Sequence, residues 1–206
     1  MDIAKQKEFK KPPTSYWIAS TEATDFPALN EDISADIVII GGGIVGISCA
    51  YLLQKEGINA VILEGDRILQ GTTGHTTAKI TSQHDLIYDK IKSKIGFDIA
   101  KQYADANESA IREIENVIRD NNIECDFLPQ SAFIYTQEEK NVQKISDEVK
   151  TASDLGIAAS YVEEIPFDLP IKAAIRFDNQ AQFHPRKYLL ALTDLITNNG
   201  VQIFER

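Results

Sequence analysis

Two different spacings of hydrophobic residues alternate along the chain, and they predict its strands and helices. Residues 36–40 (DIVII) form a continuous apolar run rich in β-branched residues, which is typical of a buried strand in a parallel sheet. A helix is predicted from Gly43 to Glu56, and Gly57 is placed to end it in a left-handed conformation. The apolar run NAVILE then predicts a second strand. Strand, helix and strand together predict one βαβ unit.

The rest of the chain predicts further helices and several short strands. Apolar residues recur at helical spacing in three segments, 98–120, 138–155 and about 186–198. Strands are predicted at 125–129, 131–136 and 171–177, and at the run GVQIFE near the end. This order of elements predicts a doubly wound α/β domain with an inserted α+β portion.

Charge and composition narrow the class of function. The 206 residues carry a formal net charge of -10, which argues against general binding to nucleic acid or anionic membranes. The N-terminus lacks the apolar core of a signal peptide, and the longest apolar run is too short to span a bilayer. We therefore expect a soluble cytoplasmic protein. The 2 cysteines show no CxxC or metal-ligand spacing, so neither a disulfide scaffold nor a metal site is expected.

Three glycines follow the first predicted strand at the spacing G-x-G-x-x-G. Gly41 permits a tight turn, Gly43 lets the backbone approach a pyrophosphate, and Gly46 lets the helix pack closely on the strand. The N-terminus of the helix then offers free N–H groups to phosphates. Glu64 ends the second strand about twenty residues later, where an acid binds a ribose hydroxyl. This context predicts a dinucleotide site, and Glu64 argues against NADP, whose extra phosphate it would repel.

The segment after Glu64 decides between a nicotinamide and a flavin cofactor. A NAD enzyme is expected to continue soon with a third strand and a helix, whereas this chain continues with about twenty polar, irregular residues. Arg67 offers a guanidinium suited to phosphate. Hydroxyls that donate or accept hydrogen bonds come from Thr72, Thr73, Thr76 and Thr77. Such a segment suits a cofactor that extends beyond ribose and pyrophosphate, and FAD is the candidate.

Here the sequence resembles a known family. The runs DIVIIGGGIVGISCAYLLQKEG, VILEGDRILQGTTGHTTAK and NQAQFHPRKYLLAL resemble the D-amino-acid oxidase and glycine oxidase group of FAD-dependent oxidoreductases. PTSYWIAST and GTTGHTTAKITSQHDLIYD are similar to a bacterial subgroup whose longer members carry a C-terminal Rieske iron–sulfur domain. The resemblance extends over nearly the whole chain from about Pro13.

The resemblance implies a role for each matching residue. The FAD pyrophosphate would be held by Gly41, Gly43 and Gly46, and the adenosine ribose by Glu64. Arg67 would lie near the adenine, with Thr72 and Thr73 near the phosphates. The residues running past the flavin ring would be Thr76, Thr77, Ala78 and Lys79. The position of Ala78 is usually glycine in amine oxidases of this group.

Two roles are possible for His75. In dimethylglycine and sarcosine dehydrogenases, which are related to this group, a histidine at the matching place is joined covalently to the flavin. The resemblance therefore offers His75 as a covalent attachment point. The alternative is that His75 only hydrogen-bonds within its loop.

The resemblance also divides the chain and implies a longer protein. The expected segments are an arm at 1–34, the first part of a Rossmann-like FAD-binding domain at 35–124, a substrate-domain portion at 125–180, and a truncated return to the FAD-binding domain at 181–206. This fold is expected to be incomplete at its C-terminus. Neither C-x-H nor C-x-x-H occurs, so Rieske ligands are expected only in a longer parent chain.

Three functions remain open at this point. The first is the N-terminal portion of an enzyme that oxidises an amine or amino acid at the carbon next to nitrogen, by hydride transfer to flavin. The second is a folded nucleotide-binding fragment without activity of its own. The third is a NAD-dependent dehydrogenase. No catalytic residue is assigned, because FAD would supply the chemistry and the protein its orientation and electrostatics.

Overall fold

A computed structural model describes residues 13–206, and the chain divides into two compact units. Of the described residues, the first unit contains 13–77 together with His184–Arg206, and the second contains Ala78–Phe183. The boundary expected at 125 therefore lies at Ala78 instead, because the helices over 88–120 pack with the second unit's sheet. Residues 1–12 of the expected arm lie outside the described residues.

The elements are as follows in chain order. They are α1 (Tyr16–Ala19), β1 (Ile37–Ile40), α2 (Ile44–Lys55), β2 (Ala60–Glu64), β3 (Lys79–Ile80), α3 (Tyr88–Ile95), α4 (Phe97–Asp120), β4 (Leu128–Thr136), α5 (Val142–Asp154), β5 (Ala159–Val162), β6 (Ala173–Gln182), α6 (Pro185–Asn198) and β7 (Gln202–Glu205). Short 3-10 helices lie at Thr72–His75 and Glu139–Asn141. No helix within residues 13–206 is both long enough and apolar enough to cross a membrane.

The predicted βαβ unit forms the centre of the first unit. Its sheet is parallel and has the order β1-β2-β7, with Val38 beside Val61 and Ile62 beside Ile203. Gly57 follows α2 with φ +72°, which confirms the left-handed end expected for that helix. The carboxyl ends of β1 and β2 and the N-terminus of α2 thus meet at one edge, where dinucleotides bind in folds of this type.

The strand β1 differs from its prediction in burial. Its apolar run predicts a buried strand, but Val38 is 54% exposed and Ile40 is 79% exposed. The physical reason is the strand's place at the sheet edge, since among the described residues only β2 pairs with it. Val45 at the start of α2 is also 79% exposed. An apolar edge therefore remains uncovered in the described part of the chain.

The N-terminal arm is ordered by contacts within the first unit. It contains the short helix α1, which is capped by Ser15. The indole Nε1 of Trp17 donates to the carbonyl oxygen of Thr76 over 2.8 Å, and its ring packs edge-on against His184. His184 itself caps α6, with Nδ1 accepting from the N–H of Lys187. His184 therefore stabilises the start of this helix.

A buried arginine also holds the arm. Arg186 is fully buried, and its guanidinium donates to the Thr21 hydroxyl over 2.7 Å, the Leu69 carbonyl over 2.9 Å and the Glu22 carbonyl over 2.8 Å. Burial lowers the pKa of Arg186. These bonds join the arm, the segment after β2 and helix α6, so the polar network explains why an arm interrupted by prolines has a defined path.

The second unit is an antiparallel sheet covered on one face by three helices. Its strand order is β3-β6-β4, and β5 also pairs with β6. The buried core between sheet and helices includes Tyr88, Ile145, Ile175 and Phe177. The two strands predicted at 125–129 and 131–136 form one strand, β4, whose register shifts between Gln130 and Ala132. Helix α3 and strand β5 were not predicted.

A buried carboxylate fixes the start of helix α3. Glu148 on α5 is 0% exposed, and its two carboxylate oxygens accept from the backbone N–H groups of Tyr88 and Asp89, each over 2.8 Å. Burial raises the pKa of Glu148 above its ordinary value of 4.5, although these N–H bonds act in the opposite direction. Burial also raises the pKa of Tyr88, whose hydroxyl donates to the Ser82 carbonyl.

Candidate cofactor site

The glycine loop has the close contacts that its motif requires. Gly41 has φ +104°, a conformation that favours glycine, and its N–H donates to the Leu63 carbonyl over 2.8 Å. A Cβ on Gly46 would lie 2.0 Å from the Gly41 carbonyl oxygen. A Cβ on Gly42 would lie 2.1 Å from Cγ2 of Ile68. The loop can therefore exist only with small residues at these places.

Glu64 closes the loop from the end of β2. Its Oε2 accepts from the Gly42 N–H over 2.8 Å, and its Oε1 accepts from the Asp66 N–H over 3.0 Å. The carboxylate is thus fixed at the carboxyl edge of the sheet, beside the turn, where the motif requires an acid that binds ribose. Since two N–H groups orient it, a third donor such as a ribose hydroxyl meets a positioned acceptor.

Thr73 binds the N-terminus of helix α2. Its Oγ1 accepts from the Ile44 N–H over 2.9 Å, and the side chain is 7% exposed. The same oxygen would lie 3.2 Å from a Cβ on Gly43, so Gly43 keeps this approach open. Among residues 13–206, no hydrogen bond is formed by the Gly43 N–H, which leaves a donor at the positive end of the helix.

A cavity of about 310 Å³ lies between the glycine loop and the segment after β2. Its lining consists of Gly43, Glu64, Asp66, Arg67, Leu69, Gln70, Gly71, Thr72 and Thr73. Five of the predicted site residues therefore meet at one cavity, which joins a helix N-terminus to the acid at the end of β2. These are the groups that a pyrophosphate and an adenosine ribose require, so the donor set fits a dinucleotide such as FAD.

Arg67 lines the cavity but also binds the arm. One guanidinium nitrogen donates to the Thr24 carbonyl, and Nη2 lies 3.3 Å from a carboxylate oxygen of Asp25, which is largely exposed. The sequence predicts a guanidinium available for phosphate. The structure shows one whose direction is set by the arm, so the arm contributes to the shape of the site.

The next three predicted residues, His75, Thr76 and Thr77, lie beyond this cavity in the same unit. His75 ends the 3-10 helix, is exposed, and has its Nδ1 2.9 Å from the Gly71 carbonyl oxygen, so Nδ1–H is the donor. A hydrogen bond within its own loop is one of the two roles considered for His75 from the sequence, and covalent attachment to the flavin is the other. The half-buried Thr76 accepts the Trp17 indole bond through its carbonyl, and Thr77 is exposed.

Ala78 and Lys79 fall in the second unit, whereas the other predicted residues fall in the first. Both belong to the second unit, where Lys79 begins β3 opposite Gln182. Ala78 is 4% exposed and has φ 62°, in the left-handed region that favours glycine. This backbone conformation gives a physical reason for the glycine that the resembling amine oxidases have at this place. Lys79 is exposed and lines a different cavity, which is lined only by residues of the second unit.

Sequence reasoning missed several lining residues. Asp66, Leu69, Gln70 and Gly71 line the cavity without having been predicted, and Gly42 supplies the N–H that binds Glu64. The run of three consecutive glycines at 41–43 was a usable signal for Gly42, because two glycines satisfy the turn and a third indicates another close contact. The other four have ordinary loop composition and carry no such signal.

Comparisons with known proteins show the family to which the chain belongs. The family described as FAD dependent oxidoreductase matches residues 36–206. YhfW of Bacillus subtilis, named as a Rieske 2Fe-2S iron-sulfur protein, is 43% identical over 203 residues, which cover 98% of this chain and 40% of that protein. Gamma-glutamylputrescine oxidoreductase of Escherichia coli is 24% identical over 199 residues, covering 93% of this chain and 46% of that enzyme. The chain spans less than half the length of these relatives.

A solved structure shows the same fold. The L-amino acid deaminase of Proteus myxofaciens superposes with a TM-score of 0.72 at 17% identity, covering 93% of this chain and 42% of that one. The likeness supports the α/β architecture, with a parallel nucleotide-binding sheet and an antiparallel second sheet. With its glycine loop, its fixed acid and its match over residues 36–206, this chain belongs to the family of FAD-dependent oxidoreductases.

Proposed function

We propose that this chain binds FAD and forms part of an enzyme that oxidises an amine or amino acid at the carbon next to nitrogen. The observation that carries the proposal is the cavity at the edge of β1 and β2, which brings the Gly43 backbone, the fixed Glu64 carboxylate and Thr73 together. When bound, the flavin supplies hydride acceptance. The residues of the chain supply binding and orientation.

The proposed roles follow the groups that each residue offers. The pyrophosphate lies against the backbone of Gly41, Gly43 and Gly46, at the start of α2. Glu64 accepts from the adenosine ribose, and Arg67 lies on the adenine side. Thr72 and Thr73 lie near the phosphates, and Thr76, Thr77, Ala78 and Lys79 run past the flavin ring, as the resemblance implies.

The substrate class is inferred from the relatives. One is named for a reaction of gamma-glutamylputrescine, and the structural neighbour is named for deamination of L-amino acids. Both names describe compounds in which a carbon bears nitrogen. We therefore propose an amine or amino acid as the substrate of the whole protein, and its identity within that class is left open.

The name of YhfW supports a further proposal about electron transfer. In the whole protein, a Rieske-type domain is the proposed partner that takes electrons from the reduced flavin. We also propose that another strand of the whole protein pairs with β1, because Val38 and Ile40 are exposed at the open edge of a parallel sheet.

The same exposed edge favours a second candidate function. If the strand proposed to pair with β1 is needed to complete the flavin site, the chain by itself is a nucleotide-binding fragment that does not turn over substrate. A NAD-dependent dehydrogenase is the third candidate, and the cavity formed by Arg67, Thr72 and Thr73 after β2 counts against it.

We also propose that FAD is attached covalently to His75. Its Nδ1 is engaged with the Gly71 carbonyl, so the lone pair of the neutral ring lies on Nε2, which is the atom offered for a bond to the flavin. A His75→Asn variant tests this directly. If flavin remains with acid-precipitated wild type but is released from the variant, His75 is the attachment point. Release from both means that FAD is held without a covalent bond.

Competition between nucleotides tests the cofactor itself. FAD fluorescence is measured while the 206-residue chain is titrated in, and ADP or NAD is then added in excess. We expect FAD to bind and ADP to compete, because both present a pyrophosphate to the glycine loop. Binding of NAD in place of FAD would favour the dehydrogenase, and absence of any binding would leave the chain without a competent site.

A further inference from the structure

Glu205 is a buried carboxylate of the first unit that the glycine-loop motif does not include. It ends β7, where it pairs with Glu64 of the parallel sheet, and it is 4% exposed. Burial of an acid is costly unless hydrogen-bond donors surround it. The donors around Glu205 therefore indicate which parts of the chain it holds in place.

Three donors from two separate segments meet at this carboxylate. Its Oε1 accepts from the Thr24 hydroxyl over 2.5 Å and from the Ile68 N–H over 2.8 Å. Its Oε2 accepts from the Phe26 N–H over 3.0 Å. The backbone adds a fourth bond, since the Glu205 N–H donates to the Pro27 carbonyl over 3.1 Å. Glu205 thus joins the arm and the segment after β2 to the end of β7.

The bond to Ile68 acts on the cavity beside the glycine loop. Ile68 is 0% exposed, and its Cγ2 occupies the space beside Gly42, only 2.1 Å from where a Cβ on Gly42 would lie. The following N–H, that of Leu69, donates to the Gly42 carbonyl over 3.0 Å. Arg67 and Leu69, on either side of Ile68, both line the cavity. The position of Ile68 therefore sets the position of this wall of the cavity.

The bonds to the arm act on the same wall from the other side. Arg67 donates to the Thr24 carbonyl and lies 3.3 Å from a carboxylate oxygen of Asp25. Through Thr24 and Phe26, the carboxylate of Glu205 fixes the arm on both sides of this acid. Loss of these bonds would free the part of the arm that directs the guanidinium.

We propose that Glu205 is a positioning residue for the adenosine half of the cofactor. It acts through Ile68 and the arm, which hold Arg67 and Leu69 in place at the cavity. Groups that bind a ligand keep their geometry only when neighbouring contacts hold them. That the ligand is FAD rests on the function proposed above.

The pyrophosphate side of the cavity depends less on this carboxylate. There the Gly42 N–H is bound by Glu64, and the Ile44 N–H at the start of α2 is bound by Thr73. Loss of Glu205 should therefore weaken the binding of adenosine more than the binding of pyrophosphate. A role in overall stability alone would not distinguish the two.

ADP and inorganic pyrophosphate are the probes, because ADP adds an adenosine to the same charged group. Their binding to the isotopically labelled 206-residue chain is measured from shifts of backbone amide resonances. In Glu205→Ala, we expect ADP to bind roughly tenfold more weakly and pyrophosphate to bind within about twofold of wild type. Circular dichroism shows that the variant is folded.

Glu205→Gln is the conservative variant, and it separates the two groups of bonds. Its one oxygen is expected at the place of Oε1, where two donors lie, so that its amide nitrogen faces the Phe26 N–H. Hydrogen exchange should then stay slow at Ile68 and become roughly tenfold faster at Phe26, whereas in Glu205→Ala both become faster. Most of the ADP affinity should return in Glu205→Gln. The Gly41 N–H, bonded to the Leu63 carbonyl, is the reference amide that should not change.

Glu31→Ala is the matched control, because Glu31 is an exposed acid of the same unit and its loss changes the charge equally. It should bind both probes like wild type. Equal weakening of the two probes in Glu205→Ala, or unchanged ADP affinity, would overturn the proposal. If wild type binds neither probe, the function proposed above fails. Faster exchange at Ile68 in Glu205→Ala would then still show that Glu205 holds this wall, and unchanged exchange would overturn that.

Discussion

Gly46 packs against the carbonyl oxygen of Gly41, so that a Cβ at position 46 would lie only 2.0 Å from that oxygen. The same Cβ would lie 3.3 Å from Cγ2 of Ile39 on β1. The absence of a side chain therefore lets helix α2 start directly above the end of the strand. Its N-terminus is thereby brought to the cavity where we place the pyrophosphate.

Replacement of Gly46 by alanine is expected to disturb both stability and binding. The added methyl group forces the loop backbone to move, and overpacking of this kind costs about 1–3 kcal/mol of the free energy of unfolding. The affinity of the Gly46→Ala variant for FAD should also fall, because the displaced loop backbone is the part proposed to hold the pyrophosphate. Urea unfolding and FAD titration measure the two effects. Gly65→Ala is the control for stability, because a Cβ there has no atom within 4 Å and φ is not positive. Equal stability of the two variants would contradict the account.

Ala78→Gly is expected to be unusually mild for a buried alanine. Ala78 has φ 62°, and relief of the left-handed conformation returns about 1–2 kcal/mol. That gain offsets the greater entropy of a glycine in the unfolded chain, about 0.4–1 kcal/mol. The comparison is Ala100→Gly, at a buried site within helix α4, where the loss should be about 1 kcal/mol or more. If Ala78→Gly costs as much as Ala100→Gly under chemical denaturation, the strain assigned to Ala78 is absent.

Stability is expected to depend on pH through Glu148. Its pKa is raised in the folded chain by burial, so the unfolded state loses the proton at lower pH than the folded state. The associated stability is present below the ordinary pKa of 4.5 and is lost as the pH rises through the folded value. Glu148→Gln removes this dependence, so the difference in unfolding free energy should move in favour of the variant as pH rises. A difference that stays flat between acidic and neutral pH would refute the assignment.

Loss of the Arg186 side chain is expected to release the arm. In Arg186→Leu, the carbonyl groups of Leu69 and Glu22 lose a charged donor, and the stability should fall by more than about 2 kcal/mol. The single tryptophan, Trp17, lies on the arm, so its fluorescence reports detachment. Arg112→Leu alters an exposed arginine on α4 and should change neither property. An unshifted emission spectrum in Arg186→Leu would show that the arm stays in place without this network.

The parts of the fold that follow local rules could be predicted from the sequence. The βαβ unit was predicted because an apolar run, three spaced glycines and Gly57 each specify local geometry. Helix α3 was missed because its N-terminus is stabilised by Glu148, which lies about sixty positions away and leaves no local signal. The exposure of β1 could not be predicted from the sequence either, since an apolar run has the same composition at the edge and at the centre of a sheet.

The part of the site that follows local rules could also be predicted from the sequence. Residues of the glycine loop and Glu64 follow a motif whose spacing reflects geometry. The sequence could not predict that the segment after Thr77 enters the second unit, because Lys79 pairs there with Gln182, about a hundred positions later. The contact between Arg67 and the arm likewise depends on residues that are distant in sequence.

The central claim is that the cavity of the first unit binds FAD. Its most direct test is the absorbance spectrum of the purified 206-residue chain, after incubation with FAD and removal of the unbound cofactor. We predict flavin bands that remain with the protein at about one flavin per chain, and their loss in Gly46→Ala. A chain that folds, gives the expected circular dichroism and yet retains no flavin would contradict the claim.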